Sequence, residues 1–200
     1  MRGFQAEEAR RRFLIPLWNV YSFFVTYANI DGYDPRTKAP SVRERPELDR
    51  WIVSELNVLI AEVTASLDKY EPDAAAHALD GFVELLTNWY VRRSRRRFWK
   101  SDQDDDKQSA YSTLYEGLTT VTRLLAPIVP FVTEEMHGNL VAAIDGVESV
   151  HLESYPEADA TAIDVRLSDA TRLAMRLSSL GRSARSKAGI KVRQPLAEAV

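Results

Sequence analysis

The sequence predicts an all-α protein, an antiparallel helical bundle with a long C-terminal helix and one short, truncated strand. Three observations carry that reading. Apolar residues recur at steps of three and four along most of the 200 residues. Prolines and glycines gather between these periodic stretches. Alternation of the strand type is confined to "DGVESVHLESYPEAD" and to "GIKVRQPL" near the end.

The first helix has Leu14, Leu17, Trp18, Tyr21, Val25 and Ala28 on one stripe. Its uncharged run, Phe13–Ile30, has the length of a membrane span. Asn19, Ser22, Thr26, Asn29 and its tyrosine and tryptophan rings make it a poor hydrocarbon solute, and Glu7 and Glu8 spoil a secretory signal. A buried helix bent at Pro16 is expected, with no membrane partner. The connector "DGYDPRTKAPSVRERPE" follows, then a second helix with Ile52, Leu56, Leu59, Val63 and Leu67 inward. Pro72 and Asp73 suit the start of a third helix. Phe82, Leu85, Leu86 and Trp89 mark its inner face before it enters a run of arginines.

"SDQDDD" breaks that helix. A fourth carries Tyr111, Leu114, Tyr115, Leu118, Thr122 and Leu125, and "APIVPF" separates it from a short fifth ending near Val141. An extended crossing segment with Val147, Ser149 and His151 leads to a long amphipathic helix from about Asp164 to Lys187. "GIKVRQPL" then reads as the start of a strand, and a lone strand is not a stable end. The expected organisation is a bundle over 1–145, followed over 146–200 by the crossing segment, the long helix and the beginning of a further module.

Net charge is −3 and the isoelectric point about 5.7, which argues against a generally basic nucleic-acid coat but not against a local basic patch. The absence of cysteine removes disulfides, thiolate metal sites and cysteine nucleophiles from this chain. Glu134 and His137 have the Glu-x-x-His spacing of a di-metal bundle, but the other such spacing, Glu148 and His151, falls in an extended segment rather than on a helix; packing or solvation of His137 is expected instead. Asp102, Asp104 and Asp106 imitate a calcium loop that has Lys107 where glycine is needed and Thr113 where the bidentate glutamate is needed. No metal site, phosphate loop or catalytic residue is expected.

"TNWYVRRSRRRFWK", residues 87–100, places five arginines and a lysine among four aromatic rings. Extending the third helix at 3.6 residues per turn puts Arg93 and Arg96 on the face of Phe82, Leu86 and Trp89. Arg92 and Trp99 then flank that face, Arg97 lies beside it, and Arg95 and Phe98 point away. Two explanations compete: guanidinium groups paired with carboxylates at an interface, or guanidinium forks holding RNA phosphates beside rings that stack on bases. A second basic run, Arg182, Arg185, Lys187, Lys191 and Arg193, adds to the RNA reading, the alternative being a solvated helix end that suits the dipole.

"IPLWNVYSFF", "DRWIVSELN", "NWYVRRSRRRFW", "YSTLYEGLTTVTRLLAPIVPFVTEEM", "SVHLESYP" and "LGRSAR…IKVRQPL" resemble, in order, the region after the catalytic core of isoleucyl-tRNA synthetases. The resemblance covers nearly the whole chain, and "SVHLESYPEAD" is similar to an actinobacterial or eukaryotic-type branch. It implies a class I synthetase anticodon-binding bundle that binds tRNA(Ile), as part of a cytoplasmic, monomeric ligase. Catalytic and C-terminal domains would be its other partners. ATP and magnesium would serve the absent catalytic domain, and zinc the absent C-terminal module; no cofactor is expected here. Within that frame Arg92, Arg95, Arg97, Lys100, Arg182 and Arg185 are expected to face RNA or solvent. Arg93 and Arg96 are expected to pair internally, with Trp89 and Trp99 at a domain interface. The rival class is a helical scaffold that binds protein and not RNA.

Overall fold

The computed structural model describes residues 7–142, 144 and 146–196, and among them it is all-helical. Helix α1 spans Ile15–Asp31, directly after a π-turn over Arg10–Leu14. Helices α2 (Glu47–Asp68) and α3 (Pro72–Leu85) pack extensively on each other. A π-turn over Leu86–Val91 joins α3 to α4 (Arg92–Trp99). Helix α5 (Asp105–Leu125) runs through the centre, against α1, α2, α4 and α6 (Pro130–His137). Helix α7 (Val165–Lys187) is the main element of a second compact unit that begins at Asp164.

The apolar stripes explain the packing of α2 and α5. Ile52, Leu56, Leu59 and Val63 are buried along α2, as are Tyr111, Leu114, Leu118, Thr122 and Leu125 along α5. The inward face of helix α1 is shifted from the expected one: Leu17 and Tyr21 of the expected stripe are buried together with Val20 and Phe24, while Trp18 is 41% exposed. Apolar residues lie on every side of this helix, so their spacing does not select a face. The helix Glu7–Asp31 is long and apolar enough by composition to cross a membrane, with mean hydropathy 1.2. Pro16 lies inside this continuous helix, directly after the π-turn, whose wider ladder makes room for a ring that cannot supply an N–H.

Buried ions tie the connector and the helix ends to α5. The Lys107 side chain is 1% exposed and meets Asp31 Oδ2 at 2.7 Å. It also donates to Lys100 O at 2.7 Å. Arg45 crosses from the connector to donate to Thr113 Oγ1 at 3.0 Å and to Glu116 Oε2 at 3.1 Å. Asp104 caps α5 by accepting from Lys107 N at 2.8 Å, so the imitation calcium loop is a helix start.

Glu134 and His137 anchor the crossing segment. Glu134 Oε2 accepts from Ser149 Oγ at 3.0 Å and Val150 N at 3.1 Å, and His137 Nε2 lies 2.9 Å from Val147 O. The segment is not extended throughout: Val150–Leu152 form a 3₁₀ turn. It continues along α2, where Asp159 N donates to Asn57 Oδ1 at 2.8 Å, and the compact bundle extends to Ile163.

The anticipated C-terminal strand is not formed among the described residues. Arg185 Nη1 instead donates to Lys191 O at 3.0 Å and Gln194 O at 2.6 Å, gathering residues 190–194 into turns behind α7. A strand needs a neighbour to take its backbone donors, and here a guanidinium takes the carbonyls.

Candidate nucleic-acid interface

The arginine helix is aimed by the π-turn in front of it. Thr87 Oγ1 donates to Val83 O, the carbonyl that an α-helical N–H of residue 87 would use. Over Leu86–Val91 the ladder widens, accommodating one residue more than α-helix would. One extra residue turns everything after it by about 100° relative to simple α extrapolation. The buried line therefore runs Phe82, Leu86, Tyr90, Ser94, Phe98, at steps of four.

This corrects several expectations at once. Phe98, expected outside, is 1% exposed, with ring centroids 4.8 Å from Tyr111 and 5.1 Å from Phe23, both edge-on. Arg93 and Arg96, expected inside, are exposed. The Arg93 guanidinium lies 3.5 Å over the ring of Trp89, which is half-buried. Arg92 and Arg95 are exposed, and like Arg96 they form no ion pair among the described residues. Trp99 is 56% exposed beside them.

Arg97 lies inside. Its Nη1 and Nη2 fork onto Asp49 Oδ1 and Oδ2 at 2.6 and 2.7 Å, and Nη2 also donates to Asp106 O at 2.7 Å. Nε is 2.9 Å from Asp106 Oδ1, close enough for an ion pair although its N–H is not aimed for a hydrogen bond. Tyr90 Oη donates to Asp49 Oδ1 at 2.7 Å. Burial opposes the charged guanidinium, but the hydrogen bonds and charge of Asp49 outweigh it and hold Arg97 above its ordinary value. Burial, with Asp49 adding to it, pushes the Tyr90 phenol well up, so it remains a donor.

Lys100 is likewise occupied, by Asp104 at 2.6 Å and Asp106 at 3.0 Å. Its protonated form is partly disfavoured by burial but stabilised more strongly by those two carboxylates. In the second unit Arg182 is exposed, whereas Arg185 is spent on the turns that follow α7.

The arrangement is one short helix with an apolar and ionic inner side and a cationic outer side. Arg92, Arg93, Arg95 and Arg96 are exposed on this helix, which also carries the exposed indole of Trp99. Such a surface can take phosphates through forked hydrogen bonds and bases through stacking. Among the described residues no group of three or more histidine, aspartate or glutamate side chains is placed to hold a metal ion. Sequence reasoning misses Asp49 and Tyr90, though Asp49 carries a signal: it falls in step with Ile52, Val53 and Leu56 on the apolar stripe, and a carboxylate there needs a partner.

Residues 49–200 match the family described as the anticodon-binding domain of tRNA ligase. Over 193 residues, 96% of this chain and 19% of the relative, it is 58% identical to isoleucine–tRNA ligase of Dehalococcoides mccartyi. The corresponding ligase of Clostridium novyi is 48% identical over 194 residues, 96% of this chain and 19% of that protein. That of Streptomyces coelicolor is 46% identical over 196 residues, 97% of this chain and 18% of that protein. The chain thus spans about a fifth of the length of these curated relatives. With the family's pattern covering α2 to the last residue, and the bundle it implies present in the fold, the chain belongs to the anticodon-binding domains of tRNA ligases.

Proposed function

We propose that this chain is the tRNA-binding region of an isoleucine–tRNA ligase and that it holds tRNA(Ile) while a catalytic domain elsewhere in the enzyme performs the ATP- and magnesium-dependent reaction. The observation that carries the reading is the outer face of α4, where Arg92, Arg95 and Arg96 are exposed beside Trp99. The names of the relatives supply the amino acid. Arg92, Arg93, Arg95 and Arg96 are the phosphate-facing residues in this proposal, with Trp99 available for stacking and Arg182 as a further cation. Arg97 and Lys100 have their guanidinium and ammonium groups engaged by Asp49, Asp104 and Asp106, and they act by holding the helix. The chain contributes no catalytic group, and a cytoplasmic, monomeric enzyme with zinc in its C-terminal module is consistent with the same reading.

The test is binding of tRNA(Ile) and of an unrelated tRNA to the purified chain across a salt series. Three to five phosphate contacts give a log–log slope of about −2 to −4, at roughly 0.7–0.9 per contact. A slope near zero, or no binding at low salt, supports the rival protein-binding scaffold. Equal affinity for both tRNAs at every salt concentration contradicts specificity within this region.

A further inference from the structure

We infer that Asp49, through its fork with Arg97, is the positioning residue of the RNA face: it does not touch RNA but fixes the direction in which α4 presents its arginines. The inference rests on the RNA reading of that face. Its starting point is an electrostatic oddity. Asp49 is 0% exposed and sits a single guanidinium away from a surface proposed to meet a polyanion. Judged by charge alone, a carboxylate there opposes the function.

The geometry gives it another task. Helix α4 has only eight residues, and it leaves the bundle at Lys100, whose backbone is extended. Its inward anchors are Ser94, Arg97 and Phe98; Ser94 Oγ is buried without a hydrogen-bond partner, so it contributes packing alone. The buried line through Leu86, Tyr90 and Ser94 sets the overall direction of the helix, and Phe98 fixes the depth of its last turn through two edge-on rings, so the freedom left is rotation of that last turn. That rotation decides where Arg95 and Arg96 point. The planar, two-pronged fork of Arg97 on Asp49 opposes rotation, because both N–H···O lines must be kept together.

Asp49 is itself held. It stands in the first turn of α2, on a helix wall that is almost wholly buried, and Tyr90 from the π-turn donates to the same oxygen as Arg97. One carboxylate therefore joins α2, the π-turn and α4, and Asp106 adds α5 from the other side. Without it, Arg97 keeps only Asp106, at the edge of four neighbouring guanidinium groups on the same short helix. Like charges at such spacing drive the side chains and the helix end apart.

The experiment compares tRNA affinity, salt slope and melting for wild type, Asp49→Asn and the uncharged double variant Asp49→Asn/Arg97→Gln, using tRNA(Ile) at 10 °C. Removal of a negative charge by itself strengthens RNA binding. The positioning role predicts the opposite sign: Asp49→Asn binds about tenfold more weakly at 0.1 M salt, and its slope falls by roughly 0.7–0.9 for each phosphate that α4 no longer reaches. The double variant removes the pair without leaving a lone buried charge, so its melting temperature recovers toward wild type while the weak binding and shallow slope remain.

Wild-type affinity in either variant, or tighter binding by Asp49→Asn, overturns the inference while leaving the RNA face in place. A double variant that cannot fold also overturns it, because the pair is then required for the fold rather than for aim. Absence of tRNA binding by wild type fails the RNA reading itself, on which the inference depends.

Discussion

Tyr70 ends α2 in the left-handed region, at φ 59°, with its ring 92% exposed. The N–H groups of Tyr70 and Glu71 return to Leu67 O and Ser66 O at 2.9 Å, closing the helix in the manner usually served by glycine. The side chain gains little burial and carries the steric cost of its Cβ. Tyr70→Gly is expected to stabilise the chain by about 0.5–1 kcal/mol, a rise of roughly 2 °C in melting temperature. A fall in the thermal melt would show that the ring makes a contribution its exposure conceals. Lys107 is the converse case, a buried cation whose loss leaves Asp31 without its ion partner. Lys107→Met is expected to cost about 2–3 kcal/mol near neutral pH by chemical denaturation. Burial pushes the Asp31 carboxyl up, but the hydrogen bonds from Lys107 and Tyr111 prevail and hold it below its ordinary value. Because the folded pKa is depressed, this contribution is complete above about pH 4 and disappears as pH falls through the folded value. The gap between Lys107→Met and wild type should therefore narrow on acidification; a gap that widens contradicts the pairing.

At the scale of elements, the helices most legible in the sequence are those whose apolar residues keep a regular step. Ile52, Leu56, Leu59 and Val63 of α2, and Leu114, Leu118 and Leu125 of α5, lie inside as their spacing requires. The run from Phe82 to Trp99 does not yield to spacing, because a π-turn changes the step within a sequence that looks continuously helical. Its inward residues also include an arginine whose partner stands 48 positions away, and only the tertiary fold brings Asp49 there. Removing Asn88, which is exposed within the π-turn, converts it to α-helix and retains the inward direction of Tyr90, Phe98 and Arg97. Removing Arg95 rotates Arg97 and Phe98 off the core by about 100°. Deletion of Asn88 is expected to leave a cooperative melt, whereas deletion of Arg95 abolishes it or lowers it steeply, through loss of an aromatic anchor worth about 3–5 kcal/mol. Equal damage from the two deletions contradicts the π-turn as the source of the changed phase.

For the whole molecule, a net charge of −3 conceals a local concentration of cations, and sequence periodicity locates that concentration without orienting it. The helical class is legible throughout. The terminal strand is not, because "GIKVRQPL" has the composition of a strand while Arg185 supplies a different use for its carbonyls. The central claim is that the core and the RNA face are separated by a single step along one helix, between Arg96 and Arg97. Neighbouring residues of one type should then have opposite fates when reversed in charge. The direct measurement is a thermal melt and a tRNA(Ile) salt titration of Arg96→Glu and Arg97→Glu in parallel. Arg96→Glu is expected to melt within about 2 °C of wild type, in keeping with an exposed substitution, and to bind about tenfold or more weakly at 0.1 M salt with a shallower slope. Arg97→Glu places a carboxylate against Asp49 and Asp106 and is expected to lose about 3–5 kcal/mol of stability. If Arg96→Glu instead unfolds the chain while Arg97→Glu melts normally and loses RNA, the faces of α4 are reversed and the account is contradicted.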